Sequence, residues 1–305
     1  MQHKPIKGNV PILATAFSDD GQVDLDSIAR LVRFLMEQDI DGLALFGNAS
    51  EGYALTGAEK KAIMKVVRDE TAGRIPLVAG AGGPSIEVAL EAARWARDEG
   101  ADALMVMPPS VVKPDEKRLV DFFSALTSGV DVPIMIQDAP MVSGVSMSVA
   151  LLARLCREHD TIRYVKVETP PTALKISALH AQLDGTAEIF GGLNGVYMFE
   201  ELQRGVIGVM PACEFPDVVN AILAAHAAGD TDTARSQFYK YLPFFRYGTQ
   251  PGINVSVHKE VLFKAGIIAT NRVRNPNVPL DETTRDELFS MLDALPIAAL
   301  EKAAA

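Results

Sequence analysis

The sequence has 305 residues, of which 48% are hydrophobic and 22% are charged, and these values are typical of a folded globular protein rather than a disordered one. Its formal net charge of −10 argues against binding to nucleic acid or to an anionic membrane, because both repel a negative surface. Its two cysteines, Cys156 and Cys213, cannot form a disulfide framework. Residues 1–10 lack the apolar core of a signal peptide and no apolar run could span a membrane, so we expect a cytoplasmic protein.

Short apolar strands alternate with amphipathic helices along most of the chain. The predicted strands are Val10–Ala16, Gly42–Phe46, Pro76–Gly80, Ala103–Met107, Val132–Gln137, Arg163–Val167, Ala187–Phe190 and Val206–Met210. This alternation predicts parallel strands joined by right-handed crossovers, and eight such units predict a (β/α)₈ TIM barrel of the α/β class. An open doubly wound sheet is the alternative, but the glycine-rich residues 78–85 match neither a dinucleotide-binding motif nor a P-loop.

Polar residues at the N-cap position mark where five helices begin. These residues are Asp24, Thr56, Ser85, Asp115 and Ser148. Thr56 and Glu59 also have the spacing of a capping box.

After about residue 215 the pattern changes, and helices follow one another without predicted strands between them. The predicted helices are Asp217–Ala228, Thr231–Phe245, Val255–Ala265 and Thr283–Leu292. We therefore predict a barrel domain over residues 1–215 and C-terminal helices packed on it over residues 216–305.

The segment from Ile162 to Glu168 is the best candidate for carrying chemistry. Because side chains alternate along a strand, Lys166 and Glu168 share one face. If that face points inward, both lie near the C-terminal mouth of the barrel, where barrel enzymes place their active sites. A lysine shielded from water can lose its charge and attack a carbonyl to form an imine, and a nearby carboxylate can move protons. The residues alone leave open a purely structural ion pair at the strand end.

Four motifs make the sequence resemble the dihydrodipicolinate synthase/N-acetylneuraminate lyase family of class I aldolases and dehydratases, over nearly the whole chain. They are Gly47-Asn-Ala-Ser-Glu51, Gln137-Asp-Ala-Pro140, Lys166 in the sixth strand, and Gly191-Gly-Leu-Asn-Gly195 after the seventh strand. The resemblance implies a (β/α)₈ barrel with C-terminal helices, an imine between Lys166 and a 2-keto acid, and a homotetramer.

Three departures from the family pattern narrow the expected reaction. Gln137 replaces the family's proton-relaying tyrosine, and an amide cannot act as an acid or base. The stretch from Met141 to Gly144 lacks the arginine expected to hold a second carboxylate in dihydrodipicolinate-forming members. The expected tyrosine pair is also absent from residues 107–113. These departures argue against a role in lysine biosynthesis.

The sequences Gln-Asp-Ala-Pro, Lys-x-Glu-Thr-Pro and Gly-Gly-x-Asn-Gly together resemble a narrower branch, the 2-keto-3-deoxy-L-arabonate dehydratase type of sugar-acid enzyme. This resemblance implies that Lys166 is the nucleophile, that Glu168 transfers protons and that Asn194 assists it. The predicted substrate-binding residues are Ala49, Ser50, Gln137, Asp138 and Gly192.

Several of these assignments have alternatives. Ser50 could merely cap its turn, and Asp138 could bond backbone amides instead of substrate. Gln137 could simply fill the relay position. Glu51 more often supports such a loop than reacts.

The predicted function is a lyase that removes the C4 hydroxyl of a 2-keto-3-deoxy sugar acid. A pyruvate-dependent aldolase or a dihydrodipicolinate-synthase-like enzyme is the alternative within the family, and a non-catalytic sugar-acid sensor is the alternative outside it. We predict no cofactor beyond the covalent imine. We also predict no metal, because the five histidines show no ligand spacing. The expected partners are a small-molecule 2-keto acid and other copies of the chain.

Overall fold

A computed structural model describes residues 4–304. The chain forms two compact units. Unit 1 contains residues 4–7, together with Pro76–Leu193 and Tyr197–Val209. Unit 2 contains Gly8–Ile75, Asn194–Val196 and residues 210–304.

Strands and helices alternate through the first two thirds of the chain. Over the described residues the strands are β1 Gly8–Asn9, β2 Leu43–Leu45, β3 Leu77–Gly80, β4 Ala103–Val106, β5 Ile134–Asp138, β6 Ile162–Val167, β7 Glu188–Gly191 and β8 Gly208–Val209. The helices among and directly after these strands are α1 Leu25–Met36, α2 Gly57–Thr71, α3 Ile86–Asp98, α4 Glu116–Gly129, α5 Pro140–Ser143, α6 Val149–Glu158, α7 Thr172–Leu183, α8 Met198–Leu202 and α9 Pro216–Ala227. The remaining helices are α10 Thr231–Tyr247, α11 Asn254–Lys264, α12 Glu282–Ala294 and α13 Ala298–Ala304.

Unit 1 is built on strands β3 to β8, which pair in parallel in chain order. Strands β4 and β5 are buried at every position, as expected for a parallel sheet covered on both faces. Parallel pairing brings the carboxyl ends of these strands to one edge, and the register aligns Gln137 of β5 with Lys166 of β6.

Unit 2 contains β1, β2 and the C-terminal helices α9 to α13. Its strand pairing includes two parallel bridges, which join Ile12 to Ala44 and to Ala212. The predicted C-terminal helices are confirmed as α9 to α12, whereas α13 was not predicted. The domain boundary at residue 215 stays a prediction.

The five predicted helix starts are confirmed. The side chains of Asp24, Thr56, Ser85, Asp115 and Ser148 each accept a hydrogen bond from a backbone amide in the first helical turn. Thr56 and Glu59 form the predicted capping box. These caps satisfy amides that lack a partner within the helix, and they depend only on local sequence.

The predicted bounds of the first strand are wrong. The strand is Gly8–Asn9, and within the predicted range the pairing continues as isolated bridges at Ile12. Pro11 separates the two. Proline has no amide hydrogen, so it cannot donate to a ladder. In the described part of the chain, no helix has the length and hydrophobicity needed to cross a membrane.

Candidate active site

Lys166 lies in unit 1, one residue before the carboxyl end of β6, and its exposed fraction is 3%. Its neighbour in register on β5 is Gln137, so the two side chains share a face of the sheet. Its ammonium nitrogen lies 3.5 Å from Oε1 of Glu168. The sequence left open whether Lys166 is a shielded amine or part of an ion pair with Glu168. In the structure it is both.

Two hydrogen bonds hold the carboxylate of Glu168, and a glycine leaves room for it. Nε2 of Gln137 donates to its Oε2 at 2.7 Å, and the backbone amide of Leu193 donates to its Oε1 at 3.0 Å. A Cβ atom at Gly192 would lie 2.4 Å from Cγ of Glu168 and 2.6 Å from Oε1. Gly192 thus leaves the space that the carboxylate fills, while Gln137 orients it toward the amine of Lys166.

Asp138 is fully buried at the end of β5, where it binds two side chains. Its Oδ2 accepts from Oγ1 of Thr169 at 2.5 Å and from Nζ of Lys175 at 2.6 Å. Oδ1 has no hydrogen-bond partner within the described residues. One carboxylate oxygen therefore supports the β6–α7 connection, and the substrate contact of Asp138 stays a prediction.

The loop with Ala49 and Ser50 belongs to unit 2. Ser50 is 2% exposed, and its hydroxyl has no hydrogen-bond partner among the described residues. Its amide donates to the carbonyl of Gly47 at 3.1 Å, and its carbonyl accepts from the hydroxyl of Thr15 at 2.6 Å. The backbone of Ser50 is thus engaged, and its hydroxyl remains the group suited to bind an anion.

Asn194 also belongs to unit 2, and its side-chain amide is occupied by backbone groups. Its Nδ2 donates to the carbonyl of Phe245 at 3.0 Å, and its Oδ1 accepts from the amide of Ala212 at 3.0 Å. Its φ of +54° lies in the sparsely populated left-handed region. The observed role of Asn194 is to join two backbone segments, and its assistance in proton transfer stays a prediction.

Glu201 is a buried acid in unit 1 that the sequence did not single out. It lies in α8 with an exposed fraction of 0%, and neither carboxyl oxygen has a hydrogen-bond partner in the described part of the chain. A Cβ at Gly191 would lie 2.1 Å from its Oε2. Burial raises the pKa of Glu201 to about 7, and the charge of Glu168 contributes to the rise. The adjacent glycines Gly191 and Gly192 are a sequence signal that another group packs closely against the backbone there. The sequence does not show that these groups are the carboxyls of Glu201 and Glu168.

The structure brings Lys166, Glu168, Gln137 and Gly192 together in unit 1. Ala49, Ser50 and Asn194 are placed in unit 2. Residues 4–304 contain no group of three histidine, cysteine or acidic side chains arranged to hold a metal. The chemistry available in unit 1 is that of an amine beside an oriented carboxylate.

The sequence matches known proteins along almost its whole length. Residues 5–295 match the model of the dihydrodipicolinate synthetase family. An L-2-keto-3-deoxyarabonate dehydratase from Azospirillum brasilense is 32% identical over 291 residues, which are 93% of each chain. A 4-hydroxy-tetrahydrodipicolinate synthase from Chlorobium phaeovibrioides is 30% identical over 299 residues, which are 97% of this chain and 99% of the relative.

Solved structures agree with this match. Dihydrodipicolinate synthase from Rhodopseudomonas palustris superimposes with a TM-score of 0.89 at 30% identity, covering 95% of this chain and 98% of the other. YagE from E. coli, a prophage protein of the dihydrodipicolinic acid synthase family solved in complex with pyruvate, gives 0.88 at 25% identity, covering 95% and 99%. The predicted α/β fold class, a (β/α)₈ barrel with C-terminal helices, is confirmed.

Proposed function

Because the chain belongs to the dihydrodipicolinate synthetase family of lyases, we propose that it dehydrates a 2-keto-3-deoxy sugar acid through an imine on Lys166. One observation carries the proposal: a buried amine lies 3.5 Å from a carboxylate that Gln137 and a backbone amide hold in place. The neutral form of a lysine amine attacks a carbonyl, and the carboxylate beside Lys166 can accept the proton that its ammonium must lose.

In the proposed first stage, Glu168 prepares Lys166 and then restores its own charge. The ammonium gives a proton to Glu168, and the neutral nitrogen attacks the C2 carbonyl of the substrate. Glu168 returns the proton to the hydroxyl of the resulting carbinolamine, which leaves as water. The product of this stage is a protonated imine beside an ionised carboxylate.

In the second stage the imine acts as an electron sink. Its positive nitrogen acidifies C3, and Glu168 removes the C3 proton to give an enamine. Glu168 then protonates the C4 hydroxyl, which departs as water while the enamine electrons form the C3–C4 double bond. One water molecule hydrolyses the conjugated imine, which frees Lys166 and releases a keto acid that has lost one water overall.

The substrate class rests on two lines of support. The curated relative from Azospirillum brasilense acts on L-2-keto-3-deoxyarabonate, as its name states. In this chain an amide, Gln137, bonds Glu168 where the family pattern has a tyrosine, so a carboxylate is left to transfer protons. We also propose Ser50, whose buried hydroxyl has no described partner, as a donor to the C1 carboxylate.

Borohydride trapping with a panel of 2-keto-3-deoxy acids, read by intact mass, tests the proposal. Wild-type protein should gain the mass of one reduced imine. Lys166→Arg keeps a cation for Glu168 but cannot form this imine, so it should give no adduct and no turnover. Lys175→Arg, at another partly buried lysine of unit 1 with a carboxylate partner, is the matched control and should keep the adduct.

Glu168→Gln separates imine formation from proton transfer. We expect some adduct with turnover reduced at least about 100-fold, the usual effect of losing a general acid–base group. Ordinary turnover in this variant would remove Glu168 from the mechanism. Release of pyruvate would establish the aldolase instead, and saturable binding without any adduct would establish the sensor.

We further propose that the protein is a cytoplasmic homotetramer, as its resemblance to the family implies. Val111, Val112 and Met141 of unit 1 are 70–80% exposed, and exposed apolar side chains of this size favour burial between subunits. Sedimentation equilibrium would show four times the mass of one chain, and a monomer at micromolar concentration would contradict the proposal.

A further inference from the structure

Glu51, next to Ser50, is held by residues far along the chain. It is fully buried and has a left-handed φ of +53°. Its Oε1 accepts from Nζ of Lys259. Its Oε2 accepts from the backbone amide of Arg274 at 2.7 Å and from Nδ2 of Asn277 at 3.3 Å. A carboxylate with this many donors is fixed in position and is not available to react.

Lys259 of α11 is equally buried and connects several segments of unit 2. It donates to the carbonyl of Arg272 at 2.8 Å in addition to Glu51. Its ammonium lies 4.2 Å from the centre of the Phe17 ring, and the guanidinium of Arg274 lies 4.3 Å from the same ring. Burial lowers the pKa of Lys259 to about 8, and the charge of Glu51 opposes that change. Glu51 therefore stabilises the charged form of Lys259.

The loop before Glu51 is fixed on its other side as well. The amides of Ser50 and Gly52 both donate to the carbonyl of Gly47 at 3.1 Å, and Thr15 holds the carbonyl of Ser50. A Cβ at Gly52 would lie 2.1 Å from the carbonyl oxygen of Phe46. These restraints and Glu51 hold the backbone of Ser50, whose buried hydroxyl has no hydrogen-bond partner among the described residues.

We propose that Lys259 is a positioning residue for the substrate carboxylate: it fixes Glu51 and thereby the hydroxyl of Ser50. This inference rests on the proposed function, because it assumes that Ser50 binds the C1 carboxylate. It also gives the C-terminal helix α11 a part in substrate binding, 208 residues along the chain from the loop that it restrains.

The test compares how pyruvate and methyl pyruvate saturate borohydride trapping, because only pyruvate carries a carboxylate. For Lys259→Met we expect the half-saturating pyruvate concentration to rise about tenfold, as for loss of one well-placed charged hydrogen bond. The value for methyl pyruvate and the extent of trapping at saturation should stay within about twofold. A loss of stability alone would not distinguish the two ligands.

Lys264→Met is the matched control, because Lys264 lies on the same helix in an exposed pair with Asp293. It should leave both half-saturating concentrations unchanged. If Lys259→Met does not fold, the variant carrying both Glu51→Gln and Lys259→Met removes the unpaired buried charge and should show the same rise for pyruvate.

A folded variant with an unchanged half-saturating pyruvate concentration, or with equal changes for the two ligands, overturns the positioning role. A wild-type protein that gives no adduct with any 2-keto acid overturns the lyase proposal instead. The two failures are therefore distinct.

Discussion

Replacing Glu201 by glutamine should stabilise the protein at neutral and alkaline pH but have little such effect in acid. Burial and the charge of Glu168 raise the pKa of Glu201 from 4.5 to about 7. Below pH 4.5 both the folded and the unfolded protein hold this proton, so the group contributes no penalty. Between pH 4.5 and 7 only the folded protein holds it, and the free energy of unfolding falls as pH rises.

The size of the effect follows from that interval. At about 1.4 kcal/mol for each pH unit, the range from 4.5 to about 7 corresponds to about 3 kcal/mol. Above pH 7 the folded protein also ionises Glu201, and the penalty stays constant. Glutamine has nearly the same shape and no proton to lose, so Glu201→Gln should gain this amount relative to wild type as pH rises from 4.5 to 7.

Urea unfolding of both proteins at pH 5, 6, 7 and 8 measures the difference directly. Glu188→Gln, the same substitution at an exposed glutamate of β7, is the control and should not give this gain in stability. If the gain from Glu201→Gln were the same at pH 5 and pH 8, Glu201 would not be a buried acid with a raised pKa.

Two further variants test contacts of the site. Gly192→Ala places a Cβ 2.4 Å from Cγ of Glu168, so the carboxylate must move. A displacement of the carboxylate by about 1 Å should lower kcat about 100-fold. Stopped assays at saturating substrate measure kcat. Asp138→Asn removes the charge that pairs with the mostly buried Lys175, and loss of one partner should cost about 3 kcal/mol in urea unfolding.

Each of these variants has its own control. Gly57→Ala adds a Cβ that meets no atom within 4 Å, so its kcat should stay within about twofold of the wild-type value. If Gly192→Ala had wild-type activity, the position of the Glu168 carboxylate would not limit the reaction. Adding Lys175→Met to Asp138→Asn removes the unpaired charge and should restore much of the lost stability. A single Asp138→Asn variant as stable as wild type would contradict the importance of this ion pair.

The resemblance to a known family identified Lys166 as the candidate nucleophile and Glu168 as the candidate base. The contacts that Gln137 and Gly192 make with Glu168 were not predicted from the sequence. Gln137 was predicted to touch substrate or to fill the relay position; in the structure its amide donates to Glu168, and its contact with substrate stays a prediction. Gly192 was predicted to touch substrate, and in the structure it gives Glu168 the space it occupies. The two strand ends meet because β5 and β6 pair in a particular register, and a register between distant segments is not encoded in either segment alone.

The sequence by itself determined the features that depend on neighbouring residues, namely where helices begin and where strands end. Helices begin where an aspartate, serine or threonine caps free amides, strands appear where short apolar runs end at glycine or proline, and Pro11 interrupts the first of them. Only the tertiary structure decided which buried charges meet. Lys259 pairs with Glu51 across 208 residues, and Glu201 packs against Gly191 beside a second carboxyl. A buried ionisable side chain is stable only when its charge has a partner or when it is neutral. Which side chain becomes that partner depends on how distant segments pack in the folded protein.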